Sequence, residues 1–65
     1  MLVYRCTEEF YDIKEARSFL KEDLGFQQLK TPRKEPEQYM GKDQCAKLER
    51  MVASGKIIVR LFNVV

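Results

Sequence analysis

Asp43–Ser54 reads DQCAKLERMVAS, and whether this stretch is helix or strand decides the fold. Cys45, Leu48, Met51 and Val52 recur at helical spacing, as one face of an amphipathic helix does. Asp43 is a residue type that caps helix N-termini, and Gly55 stands where such a helix would end. The spacing therefore predicts a helix from Asp43 to about Ser54.

Working outward, Lys56–Val65 reads KIIVRLFNVV, a β-branched apolar run that predicts a closing strand. At the other end, MLVYRC predicts an opening strand. Thr7 is then placed to cap a first helix, with Glu8 and Glu9 in its first turn, where acidic side chains complement the N-terminal partial charge. Phe10, Ile13, Ala16, Leu20 and Leu24 recur at helical spacing behind it, and Gly25 follows as a C-terminal cap. Residues 26–41, with Pro32, Pro36 and Gly41 and almost no periodicity, read as a polar connecting loop. The expected fold is α+β: a single β-α-α-β domain over residues 1–65, with a two-stranded antiparallel sheet and two helices on one face.

Strand parity separates the two faces of that sheet. In the closing strand Ile57, Val59 and Leu61 form a wholly aliphatic side, the one expected to take the helices. Leu2, Tyr4 and Cys6 are placed with them. Val3, Arg5, Ile58, Arg60, Phe62 and Val64 then share the uncovered side, an apolar surface carrying arginine and an aromatic ring, as protein interfaces do. The alternative is that the helices straddle the sheet and leave the arginines at its rim. An uncovered face with unpaired strand edges predicts a sheet extended by dimerisation or by a partner's strand.

A domain of 65 residues buries only about 60% of the surface of its unfolded chain, and small domains commonly need a disulfide, a metal or a second subunit. The chain has no histidine, and its only cysteines are Cys6 and Cys45, too few for a structural zinc site. No metal or other cofactor is implied. No secretory signal or membrane-length apolar stretch stands out, so a reducing, cytoplasmic setting is expected. Oligomerisation is the remaining source of stability, as a homodimer or with a protein partner.

Charge is uneven along the chain. Thr7–Asp23 holds six acidic side chains against three basic, and Lys30–Arg60 holds eight basic against four acidic. The cluster KTPRK puts Lys30, Arg33 and Lys34 close together, and with Lys42 they are candidates for contact with nucleic-acid phosphates. The overall basic excess is small for a nucleic-acid binder, so this partner is the less favoured one. The strand-helix-helix order expected for residues 1–55 resembles that of ribbon-helix-helix repressors. Their tight interhelical turn and lack of a closing strand do not match this chain, and the family is not assigned.

Without histidine, and with Glu8, Glu9, Asp12 and Glu15 accounted for by a helix's solvent side, nothing points to an enzyme. The expected function is that of a small regulatory protein that binds another macromolecule, such as the accessory proteins carried by phages and mobile elements. The alternative is a dimeric nucleic-acid-binding regulator.

Overall fold

Ala46 stands opposite Leu61, and Leu48 opposite Val59, so the stretch expected as a second helix is a strand. The computed structural model describes residues 1–65. Its elements are β1 (Leu2–Phe10), α1 (Ile13–Ser18) continued by a π turn at Phe19–Asp23, β2 (Gln27–Leu29), β3 (Glu37–Gly41), β4 (Gln44–Arg50) and β5 (Ile57–Val64). The strands form one sheet in the order β1-β5-β4-β3-β2, antiparallel throughout. The β-α-α-β fold with a two-stranded sheet is thereby replaced by a five-stranded sheet with a single helix. The element order that resembled a ribbon-helix-helix repressor goes with it. No helix is long and apolar enough to cross a membrane.

Each departure from the expected order has a local cause. Residues 45–50, CAKLER, are mostly strong helix formers, but propensity yields to tertiary context. Here Ala46 and Leu48 fill the sheet's core side, at 1% and 0% exposure. Asp43 adopts φ 59° in the two-residue turn between the paired residues Gly41 and Gln44. Aspartate serves such left-handed turns as readily as it serves helix caps. Thr7 does not cap a helix either: β1 runs on through Glu8, Glu9 and Phe10, paired with Val59, Ile58 and Ile57. The helix starts instead behind Asp12, whose Oδ1 accepts from the Lys14 amide at 3.1 Å.

Residues 26–41 contain two strands rather than only a loop. Polar residues dominate β2 and β3 because this hairpin lies at the sheet's edge and gives the core little beyond Tyr39. Phe26, just before β2, is buried over Gly41. A methyl group at position 41 would overlap the Phe26 ring, so this is a glycine needed for close approach.

The helix leaves β1 at one edge and crosses the sheet to β2 at the other. Beneath it Ala16, Leu20, Phe26, Tyr39, Ala46, Leu48, Ile57, Val59 and Leu61 form one core, with Cys6, Phe10, Ile13 and Phe19 packed against it. Eleven residues are buried in all, and none is charged. The opposite face of the sheet has no element packed on it.

Candidate functional site

That uncovered face is built from rows of side chains running across the strands. In the first full row Tyr4 stands opposite Phe62, Phe62 opposite Cys45, Cys45 opposite Met40 and Met40 opposite Gln27. In the next, Thr7, Arg60, Lys47, Gln38 and Leu29 follow one another in the same way. Glu9, Ile58 and Glu49 form a third, and Leu2 with Val64 a fourth.

The rows differ in character. Around Ile58, Glu9 meets Lys56 at 3.7 Å and Glu49 meets Arg60 at 2.7 Å. Arg60 on β5 and Lys56 just before it each lie two residues from Ile58, so their stems run alongside it. Ile58 is only 8% exposed, although no secondary-structure element covers this face. The other end is apolar and open. Tyr4 is 56% exposed, with Met40, Leu2 and Val64 also exposed beside it. The Tyr4 ring meets Phe62 edge-on at 6.0 Å, and Lys47 Nζ lies over the Phe62 ring at 5.7 Å. Tyr4 also shares a 2.5 Å hydrogen bond with Thr7 Oγ1, which joins the first two rows.

Ile58, Arg60, Phe62 and Val64 are thus brought together on the uncovered face; Val3 is not, and Arg5 falls at an irregularity in β1. The register of β1 shifts between Tyr4 and Cys6, a bulge that breaks simple alternation at Arg5. Val3 stands opposite Asn63 on the helix side. Arg5 lines a cavity of about 220 Å³ that reaches Cys6, Phe19 and Phe26 on the helix side and also Cys45 and Phe62. Tyr4, which sequence parity put under the helices, lies in the open. Met40, Cys45, Lys47 and Glu49 also join the face; the signal for the last three was the period-2 alternation of residues 45–50, hidden by helical propensity, and Met40 lies in a strand too polar to leave one. Cys6 and Cys45 are free and lie on opposite faces of the sheet.

The basic residues divide as well. Lys30, Arg33 and Lys34 line one basin on the helix side together with Arg17 and Glu37. Lys42 lies apart from them, in the β3-β4 turn beside Gln27 and Met40.

Between that basin and the core runs a polar chain. Tyr39, at 0% exposure, donates its hydroxyl to Glu37 Oε1 at 2.8 Å. Arg17 closes on the same carboxylate with Nε at 3.2 Å and Nη2 at 2.6 Å, the paired geometry in which arginine binds carboxylates best. The Arg17 hydrogen bond holds the Glu37 carboxyl below the usual carboxylate range, against the opposing effect of burial. Burial, and then the Glu37 carboxylate, push the Tyr39 hydroxyl up to about 12. Folding therefore favours neutral Tyr39. This contribution is whole below an unfolded tyrosine's pKa of about 10 and is lost as pH rises toward 12, by roughly 2 to 3 kcal/mol. Denaturant unfolding at several alkaline pH values should show a steeper loss for the wild type than for Tyr39→Phe. Identical pH dependence in the two would refute the assignment. Glu37 acts with the opposite sign: its contribution is present above the ordinary glutamate pKa and is lost as acid drives the pH down through its lowered value.

Comparison of the chain with protein-family models, with curated proteins and with solved structures finds no match.

Proposed function

We propose that the protein is a small, non-enzymatic interaction module that binds a protein surface through the uncovered face of its sheet, and that the surface it takes is a second copy of itself. One observation carries this reading: the row of Tyr4, Phe62, Cys45 and Met40, continued by Leu2 and Val64, is an apolar and aromatic strip on which no element of the fold packs, with Tyr4, Met40, Leu2 and Val64 exposed, Phe62 half-buried and Cys45 buried among them. Sheets pack face to face about 10 Å apart with their inner side chains interdigitated, so a flat sheet face is matched in shape by another. Charge supports the same occupant, because the face carries Arg60 and Lys47 in one row and Glu9 and Glu49 in the next. Cations and carboxylates thus balance on this face, so a second copy laid over it meets no excess of like charge. In a reducing cytoplasm, the setting proposed here, Cys6 and Cys45 would stay as the free thiols they are. As a regulator, such a module acts by occupying a surface rather than by chemistry.

Sedimentation should find a concentration-dependent dimer, and Phe62→Ala should weaken it by on the order of tenfold or more, as truncating an aromatic anchor does. Because Phe62 faces away from the helix-side core, the variant's unfolding free energy at low concentration should stay near that of the wild type. A wild type that sediments as a monomer at the highest attainable concentration would overturn self-association. A Phe62→Ala chain that fails to fold would remove Phe62 from the interface.

A further inference from the structure

On the helix side, where β2 gives way to β3, lies an open basin of about 610 Å³. Four cationic side chains line it, Arg17, Lys30, Arg33 and Lys34, against the single carboxylate of Glu37, and Leu29 is its only apolar contributor. We infer that this basin is a binding site for phosphoryl groups, formed by the loop cations around a pre-positioned Arg17.

Arg17 distinguishes the basin from a merely basic loop. Its Nε and Nη2 are committed to Glu37. Glu37 is fixed in turn by the buried hydroxyl of Tyr39. The guanidinium is therefore held at a set angle with Nη1 unspent, while its side chain stays 43% exposed. The charge of Glu37 is already met by this pair, which leaves the three loop cations without an ion-pair partner on the chain. The loop is itself restrained, by Pro32 and Pro36 and by the Thr31 hydroxyl, which donates to the Arg33 carbonyl at 2.5 Å. Planar guanidinium groups and clustered ammonium groups match phosphate oxygens in both charge and geometry. No aromatic side chain lines the basin, so it lacks a platform on which bases would stack. What it recognises is the phosphate and not the base. Two sources supply that chemistry, a free polyphosphate anion and the backbone of a nucleic acid. The basin lies across the sheet from Phe62, so it stands or fails independently of the dimer face.

The test titrates the full chain with inorganic triphosphate and, separately, with a fluorescent single-stranded thymidine oligonucleotide at low salt. Backbone amide and arginine side-chain NMR signals are followed for the first, anisotropy for the second. Binding should shift the signals of Arg17, Thr31 and Lys34 and leave those of Phe62 in place. The double variant Arg33→Gln/Lys34→Gln, confined to exposed loop residues, should bind about tenfold or more weakly, with a far-UV spectrum unchanged from the wild type. If the oligonucleotide binds, the log-log salt slope should fall by about 0.7 for each phosphate contact removed. Binding of triphosphate alone assigns the site to small anions; binding of the oligonucleotide alone assigns it to a nucleic-acid backbone. The inference is overturned if neither probe binds, or if both bind the double variant as well as the wild type.

Discussion

Replacing Tyr39 by alanine is expected to cost about 3 to 5 kcal/mol, the range found for truncating a buried aromatic. The ring has 0% exposure and is the one large side chain that β3 adds to the core, opposite Ala46 on one neighbouring strand and Gln28 on the other. Its loss opens a void beneath the helix and also strips Glu37 of a donor. A domain of 65 residues has a total stability of roughly 3 to 10 kcal/mol, so the variant should be largely unfolded or lose its cooperative transition. Tyr39→Phe keeps the ring and removes only the hydroxyl, for about 1.5 to 3 kcal/mol, the range for a hydrogen bond to a charged group. Urea unfolding of the two variants side by side separates packing from hydrogen bonding. Equal losses would mean that the hydroxyl, not the ring, holds this end of the core.

Leu20→Ala should cost about 2 to 5 kcal/mol through lost burial and a residual cavity. Leu20 is fully buried at the π turn, and its carbonyl accepts from the Phe26 amide at 2.9 Å as the chain turns toward β2. Isolated helices shorter than about 12 to 15 residues are marginal in water. Ile13–Asp23 is shorter still and so depends on its hold on the sheet. The loss should therefore appear both in global unfolding and in faster amide exchange along the helix. Leu24→Ala, at a residue 36% exposed, should change stability by less than about 1 kcal/mol. If the two leucine variants behave alike, the helix is not anchored at Leu20.

What was legible in the sequence follows from where the apolar residues are dense. The closing strand could be read because Ile57–Val64 is apolar on both sides and β-branched, and its alternation separated Val59 and Leu61 from Arg60 and Phe62. The helix could be read from Ile13, Ala16 and Leu20, but its start was misjudged. Phe10 has the right spacing for a helix and also pairs in register with Ile57. Three features were hidden. The bulge near Arg5 reverses which face the residues before it occupy, and no residue type announces it. Strands β2 and β3 place too few apolar side chains in the core to leave a pattern. In β4, a short alternation of Ala46 and Leu48 competes with helix formers all around it, and only the neighbouring strands decide the outcome. The same misreading hid half of the candidate face, since Met40, Cys45, Lys47 and Glu49 belong to those strands.

The pairing of β1 with β5 joins the ends of the chain: Leu2 stands opposite Val64, the Met1 amine donates to the Val65 carbonyl at 3.0 Å, and the Val65 amide donates to the Met1 carbonyl at 2.9 Å. In folding terms this is a contact of very high sequence separation, made at a loop-closure entropy that local hairpins avoid. The hairpins β2-β3, β3-β4 and β4-β5 can each assemble from neighbouring residues, but β1 has no strand to join until β5 is in place. During synthesis the opening strand must therefore wait, with its edge and its apolar residues unpaired, until β5 has emerged. In that interval Arg5, Glu8 and Glu9 are the charges that keep the waiting strand from pairing with another chain's edge.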